Sequence, residues 1–173
     1  MKKTLIAGAA SFALAAMPVI GVFAANPDPV VDTLTVTVNE SCTFALKTGS
    51  ANITKAMEAG ALDVAFGTNV FESKCNNGKG YSIGAVFTDL AHLTNDGDPI
   101  EYSATTPTAG SGTWTATVGA DNIAATNGVL ANTSAQDPAA GSTYTVVYKV
   151  SLHNDQAQGT YRGTATYTLS QKS

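Results

Sequence analysis

The chain has 173 residues, of which 44% are hydrophobic and only 13% charged, and its formal net charge is −4. This length accommodates one domain behind a short leader. An acidic balance without a basic patch excludes a nucleic-acid partner, which would need positive side chains to neutralise its phosphates.

The first 24 residues have the pattern of a secretory signal peptide. A basic start is followed by an almost continuous apolar run over residues 5–23, and Ala24 is a suitable cleavage residue. Pro18, many small residues and the lack of a basic stop-transfer cluster argue against a transmembrane helix. We expect residues 25–173 to be exported as one domain with no membrane span. Because the leader holds two of the 9 basic residues, the exported chain would carry a charge of about −6.

After the leader, apolar residues recur with a period of two, which is typical of half-buried β-strands. Leu34, Val36 and Val38 alternate with threonines in the first such segment. This segment predicts either the first strand of the domain or a strand donated to a neighbouring molecule, because both need one apolar face.

A marginal helix is predicted next. In residues 52–59, Ile53, Ala56 and Met57 lie on one side, and Gly60 stands where a helix cap would lie. Two turns of helix are unstable alone, so this segment is expected to pack on the strands, either as a short helix or as a loop insertion.

Two cysteines, Cys42 and Cys75, would reach an oxidising space after export. An even pair in a secreted domain is most simply one disulfide. A metal or catalytic role would need a histidine at close spacing, but His92 and His153 are isolated in the sequence.

Further strands are predicted between turn-forming segments rich in Gly, Asn, Asp and Pro. They cover residues 62–66, 70–75, 81–87, 100–104, 113–118, 122–125, 144–152 and 160–169. The last two carry Tyr144, Val146, Tyr148 and Val150, then Tyr161, Tyr167 and Leu169, on one face each. These two strands are expected to bury a common core. About eight or nine short strands favour an all-β, immunoglobulin-like antiparallel sandwich.

The sequence resembles the spore coat protein U and archaic fimbrial subunit family. The similar segments are Thr35-Val-Thr-Val38 leading to Ser41-Cys42, the second cysteine in Cys75-Asn-Asn-Gly-Lys-Gly-Tyr-Ser-Ile83, and the closing Gln158-Gly-Thr-Tyr161. This resemblance implies an immunoglobulin-like sandwich with one disulfide. It also implies a structural subunit of surface fibres, assembled from copies of itself or other surface subunits by strand exchange.

A second resemblance concerns the C-terminal strand. Residues 159–169 are similar to the distal motif of WxL domains, and residues 80–83 stand where the first motif of those domains would fall. Tyr81 and Tyr167 occupy the positions of the two motif tryptophans. This resemblance implies attachment to cell-wall polysaccharide.

No catalytic pattern is found in the sequence. It contains no Gly-x-Ser-x-Gly elbow, no metal-spaced histidine pair and no phosphate-binding glycine loop. We therefore expect a non-enzymatic, secreted surface protein without a cofactor or metal, either structural or adhesive, with wall binding as the alternative.

Overall fold

The computed structural model describes residues 34–94, 98–106, 110–118, 121–123 and 128–173. The predicted leader lies outside these residues. Val38–Ser173 and Met1–Thr37 form two separate units, and only residues 34–37 of the latter are described. Within the described ranges the regular structure is entirely β, as the sequence predicts, and contains no helix.

The strands follow one another with short turns between them. They are β1 (Cys42–Thr48), β2 (Val64–Cys75), β3 (Tyr81–Phe87), β4 (Ala91–His92), β5 (Glu101–Tyr102), β6 (Thr113–Val118), β7 (Asp121–Asn122), β8 (Gly128–Asn132), β9 (Ser142–Ser151), β10 (Tyr161–Arg162) and β11 (Ala165–Gln171).

Two principal sheets are formed. The larger has the order β1-β2-β9-β6-β5, with β7 paired to β6, and the smaller has the order β11-β3-β8. Strands β10 and β4 make a separate short pair. All pairings are antiparallel except that of β5 with β6.

Side chains from the two principal sheets share one hydrophobic core. The ring of Phe71 on β2 lies 4.7 Å from that of Tyr167 on β11, measured between centroids. The ring of Phe87 on β3 meets Trp114 on β6 edge-to-face at 5.6 Å. Such ring pairs stabilise a core beyond the area they bury.

The disulfide predicted between Cys42 and Cys75 is confirmed. The two cysteines are directly opposite each other in the β1–β2 pair. They enclose a sequence separation of 33 residues, so the bond is expected to contribute about 3–4 kcal/mol by restricting the unfolded chain.

The period-two pattern located several strands well. Strands β3 and β6 have the predicted bounds, and β9 begins two residues before its predicted start. The predicted strands 62–66 and 70–75 are joined in one longer strand, β2, which begins only at Val64 and in which Ala65 and Gly67 flank an irregularity of register. Residues 124 and 125, at the end of one predicted strand, lie outside the described residues.

The prediction of one continuous strand over residues 160–169 is wrong. The chain pairs with β4 as β10, then leaves that ladder and pairs with β3 as β11. The break falls at Gly163, where a Cβ would lie 2.7 Å from the carbonyl oxygen of Asp89. Glycine permits this close passage of two backbones.

The predicted helix over residues 52–59 is also absent, and a loop takes its place. Ile53 lies over Gly67 of β2, and Met57 packs against the core. Lys55 Nζ donates a hydrogen bond to the carbonyl of Ala65 at 2.6 Å. These contacts hold the segment against the sheet as a loop. A helix does not form because so short a sequence cannot stabilise a helix nucleus.

A first strand over residues 34–38 is likewise not found, since β1 begins only at Cys42. Leu34, Val36 and Val38 are 91%, 86% and 78% exposed. Residues 34–38 form no ladder with another described strand, and the alternatives of a first strand and a donated strand stay predictions, because apolar alternation does not reveal whether a partner strand exists in the same molecule.

Candidate functional site

The candidate site consists of two neighbouring free strand edges, which we call the β1–β11 edge pair. Strand β1 is the outer strand of the larger sheet and β11 is the outer strand of the smaller one. Phe44 of β1 and Tyr167 of β11 contact each other, with ring centroids 6.4 Å apart. In the described part of the chain, neither strand has a ladder partner on its second edge.

Burial decreases towards these two edges. On β2 and β3 the core-facing residues Phe71, Ile83 and Phe87 are buried. On β1 the core-facing Phe44 is only half-buried and Leu46 is 37% exposed. Leu169 on β11 is also half-buried. Apolar side chains that face the core yet remain partly exposed are what a sheet missing an edge strand would show.

The tyrosines behind the edge pair are held in their neutral form. The hydroxyl groups of Tyr148 and Tyr167 are 3.0 Å apart. Burial raises the pKa of Tyr148 and, more strongly, that of Tyr167. On β5, the other outer strand of the larger sheet, burial likewise raises the pKa of Tyr102 to about 12. A tyrosine with its ordinary pKa of about 10 is already neutral near pH 7, so these shifts bear on stability at alkaline pH and not on the choice of partner.

The beginning of β1 and the end of β11 lie at the same end of the fold. Asn76 beside the disulfide accepts a hydrogen bond from the Ser41 amide at 2.6 Å and donates one to the Asn39 carbonyl at 3.0 Å. The buried Asn77 donates to the carbonyl of Lys172, just after β11, at 2.8 Å. The chain that precedes Cys42 is therefore anchored at this end.

A buried hydroxyl network joins the two sheets at the same end. The Asp137 carboxylate accepts hydrogen bonds from Tyr81 at 2.6 Å and from Ser73 at 2.9 Å. Ser142 also donates to Asp137. Tyr144 lies 2.7 Å from the Tyr81 hydroxyl. Tyr81 is fully buried, and burial raises its pKa. Each member thus has a partner, which offsets the cost of placing polar groups inside the core.

The tyrosines and aliphatic residues predicted for the C-terminal strands lie as follows. Val146, Tyr148 and Val150 are buried, whereas Tyr144, Tyr161, Tyr167 and Leu169 are half-buried against the core. Trp114 is buried as well. Of the two residues at the positions of the WxL tryptophans, Tyr81 is fully buried and Tyr167 is half-buried against the core.

Sequence reasoning missed strand β1, which forms half of this site, and strand β8, which lies at the other edge of the smaller sheet. Strand β1 does alternate, with Cys42, Phe44 and Leu46 on one face, and this signal could have revealed it. Strand β8 has only five residues and carries a weaker signal.

Two further observations concern the described residues only. They contain no group of three or more His, Cys, Asp or Glu residues placed to hold a metal ion. They also contain no helix that is long and apolar enough to cross a membrane.

Comparisons with known proteins add no assignment. No protein-family model matches the chain, and neither a search of curated proteins nor a search of solved structures finds a match.

Proposed function

We propose that this protein is a non-enzymatic structural subunit of the bacterial surface that assembles by strand exchange. In this proposal the two sheets form an immunoglobulin-like sandwich that lacks one edge strand, and a neighbouring copy supplies it. The observation that carries the proposal is the β1–β11 edge pair, with its half-buried Phe44, Tyr167 and Leu169.

The exposed segment that contains Leu34, Val36 and Val38 fits the role of the donated strand. Its apolar residues alternate with Thr35 and Thr37, so one face would enter the core while the other faced water. An added strand gains main-chain hydrogen bonds along a free edge, and its alternate side chains fill pockets. At ~3.3 Å per residue, residues 30–38 would extend ~30 Å, which is enough to follow all of β11.

The anchoring of the chain before Cys42 determines what kind of assembly follows. The segment before Cys42 could fill the edge pair of its own molecule only if the chain reversed direction within Asn39, Glu40 and Ser41. A segment donated by a second molecule that lies at the opposite end of the fold needs no such turn. The donated segment would run antiparallel to β11. Each copy then gives a strand at one end and accepts one at the other. This is a head-to-tail contact, which generates an open fibre and not a closed dimer.

Matched substitutions in the donor segment test this proposal. Val36→Asp places a charge on the apolar face of the segment, whereas Thr35→Asp places the same charge on the polar face. We expect the exported protein and Thr35→Asp to form multimers that resist SDS without heating, and Val36→Asp to remain monomeric. Electrophoresis and sedimentation velocity measure this. A wild-type chain that stays monomeric at all concentrations, or equal behaviour of the two variants, would contradict the proposal.

Wall attachment is a separate outcome of the same preparation. A monomer that co-sediments with purified peptidoglycan would favour the WxL-like alternative. Strand exchange is the better supported of the two, because Tyr81, at the position of one motif tryptophan, is fully buried and so is not available to a wall polymer.

A further inference from the structure

The free edge of β11 can be described residue by residue. Just before β11, the carbonyl of Thr164 accepts a hydrogen bond from the amide of Thr88 at 3.1 Å. Just after it, the amide of Lys172 donates to the carbonyl of Gly80 at 3.1 Å. Because main-chain groups alternate in direction along an antiparallel strand, the even-numbered residues here point theirs towards β3. The odd-numbered residues point theirs towards the free edge, and they are Ala165, Tyr167, Leu169 and Gln171.

The side chains of these four residues form the row beside which the core-facing row of an added strand would lie. Tyr167 and Leu169, in the middle, are half-buried against the core. Ala165 and Gln171, at the two ends, are exposed. The edge therefore offers apolar contacts over its first three positions and a polar neighbour at the end that lies beside the disulfide.

The donated segment has a row of the same kind. Leu34, Val36 and Val38 lie on one face of an extended chain, and Asp32 is the next residue of that face towards the N-terminus. The row is therefore one carboxylate followed by three aliphatic side chains. An ionised carboxylate is costly to place among apolar side chains without a partner, so Asp32 has to stay at the rim of the core.

This carboxylate limits how far the segment can slide along β11. Shifting a strand by one residue turns every side chain to the other face, so the segment can slide only in steps of two residues. A slide that places Val36 opposite Ala165 brings Asp32 opposite Leu169, against the core. The cost of the buried charge excludes that register.

The chain that follows the donated segment prevents the opposite slide, which would draw Asn39 alongside the beginning of β11. In the molecule that donates the strand, the carbonyl of Asn39 accepts a hydrogen bond from Asn76 at 3.0 Å. The amide of Ser41 donates to the same Asn76 at 2.6 Å. Val38 is therefore the last residue that can enter a neighbour's ladder without breaking these bonds.

We propose that the donated segment binds β11 in a single register, with Val36 directly opposite Tyr167. The remaining pairs of the ladder are Leu34 with Leu169, Val38 with Ala165 and Asp32 with Gln171. This inference rests on the strand exchange proposed above and adds what fixes the register. Asp32 stops the slide in one direction, and the anchored Asn39 stops it in the other.

Cysteine pairs on the outer face of the ladder measure the register. In the proposed register Thr35 is directly opposite Thr168, in a pair without hydrogen bonds, where Cα atoms lie about 4.5 Å apart. That spacing allows a disulfide. In the two excluded registers Thr35 lies opposite Thr166 or Ser170 instead.

The full exported chain carries Thr35→Cys together with Thr166→Cys, Thr168→Cys or Ser170→Cys, all at exposed positions. Multimers are oxidised without prior reduction, so that the native disulfide stays intact, and are then boiled in SDS without reductant. We expect the Thr168→Cys pair to retain cross-linked multimers at about tenfold or more the yield of either other pair, because a slide in either direction costs more than the roughly 1.4 kcal/mol that corresponds to this factor.

Asp32→Val tests what stops the slide. Without the carboxylate the segment can move by two residues, so the cross-link between Thr35→Cys and Thr166→Cys should increase severalfold. Asp28→Val is the matched control, because it removes the same charge from a residue that would lie beyond the end of β11. It should leave all three yields unchanged.

The outcomes separate the register from strand exchange itself. SDS-resistant multimers that give equal cross-linking in the three pairs, or none, would overturn the register and leave strand exchange standing. Equal behaviour of Asp32→Val and Asp28→Val would overturn the role of Asp32. If the chain without added cysteines forms no multimers, strand exchange is contradicted and the register falls with it.

Discussion

Individual side chains near the disulfide show how polar groups are accommodated in this core. Tyr81 is fully buried, yet its hydroxyl donates to Asp137 at 2.6 Å and lies 2.7 Å from that of Tyr144. Asp137 belongs to the segment between β8 and β9, and its amide donates to the carbonyl of Cys75 at 2.8 Å. The network therefore fixes this segment over the cysteine pair.

Tyr81→Phe should lower the free energy of unfolding by about 1–3 kcal/mol, because it removes the hydrogen bonds of a fully buried hydroxyl and leaves the half-buried Asp137 carboxylate with one donor fewer. Denaturant titration measures this value. Tyr161→Phe is the comparison, since its half-buried hydroxyl donates to the Ala157 carbonyl at 2.8 Å and requires less compensation. We expect Tyr161→Phe to cost less than about 1 kcal/mol. Equal losses of the free energy of unfolding in the two variants would show that the Asp137 network stabilises the fold no more than the Tyr161 hydrogen bond does.

The buried tyrosines also predict the response to alkaline pH. Burial raises the pKa values of Tyr81, Tyr102, Tyr148 and Tyr167 above the ordinary 10.0 in the folded protein. The unfolded chain therefore loses its phenolic protons first as the pH rises. Stability is fully present below pH ~10 and falls above it. Thermal melts should show a constant melting temperature from pH 7 to ~10 and a decline between pH ~10 and 11.5. A melting temperature that stays constant up to pH 11.5 would contradict the burial of these tyrosines.

At the scale of the elements, alternation and turn residues were sufficient to place the long central strands. Strands β3 and β6 were found with their bounds because apolar and small or polar residues alternate along each. In β6 this alternation does not reflect an exposed face, since Thr115 is as fully buried as Ala116. The alternation of apolar residues looks the same in one strand and in two consecutive strands that continue in one direction. Strands β10 and β11 were therefore predicted as a single strand. The close passage at Gly163, which separates them, depends on the tertiary position of Asp89.

The candidate site was predictable only in part for the same reason. Leu34, Val36 and Val38 were recognised from their pattern as either a first strand or a donor. Only the sheet order, in which β1 and β11 are outer strands, shows where a further strand could add. Neighbour relations between strands distant in sequence depend on the whole fold, and local pattern does not encode them.

At the scale of the molecule, the proposal of strand exchange rests on one disulfide, a shared aromatic core and two strand edges that no other described residue pairs with. Filling the edge pair would bury Leu46 and Leu169 and pair the remaining main-chain groups of β1 and β11. Each buried aliphatic side chain contributes about 1.5–3 kcal/mol. A complemented molecule should therefore be much more stable than the free one.

The most direct test of strand acceptance is complementation by a peptide. The monomeric Val36→Asp protein is mixed with a synthetic peptide of residues 30–38, and thermal unfolding is recorded. We expect the peptide to raise the melting temperature by several degrees or more, with a shift that grows with the logarithm of its concentration. The same peptide with Val36→Asp should have no effect. An unchanged melting temperature with the unmodified peptide would contradict the claim that this fold accepts a strand.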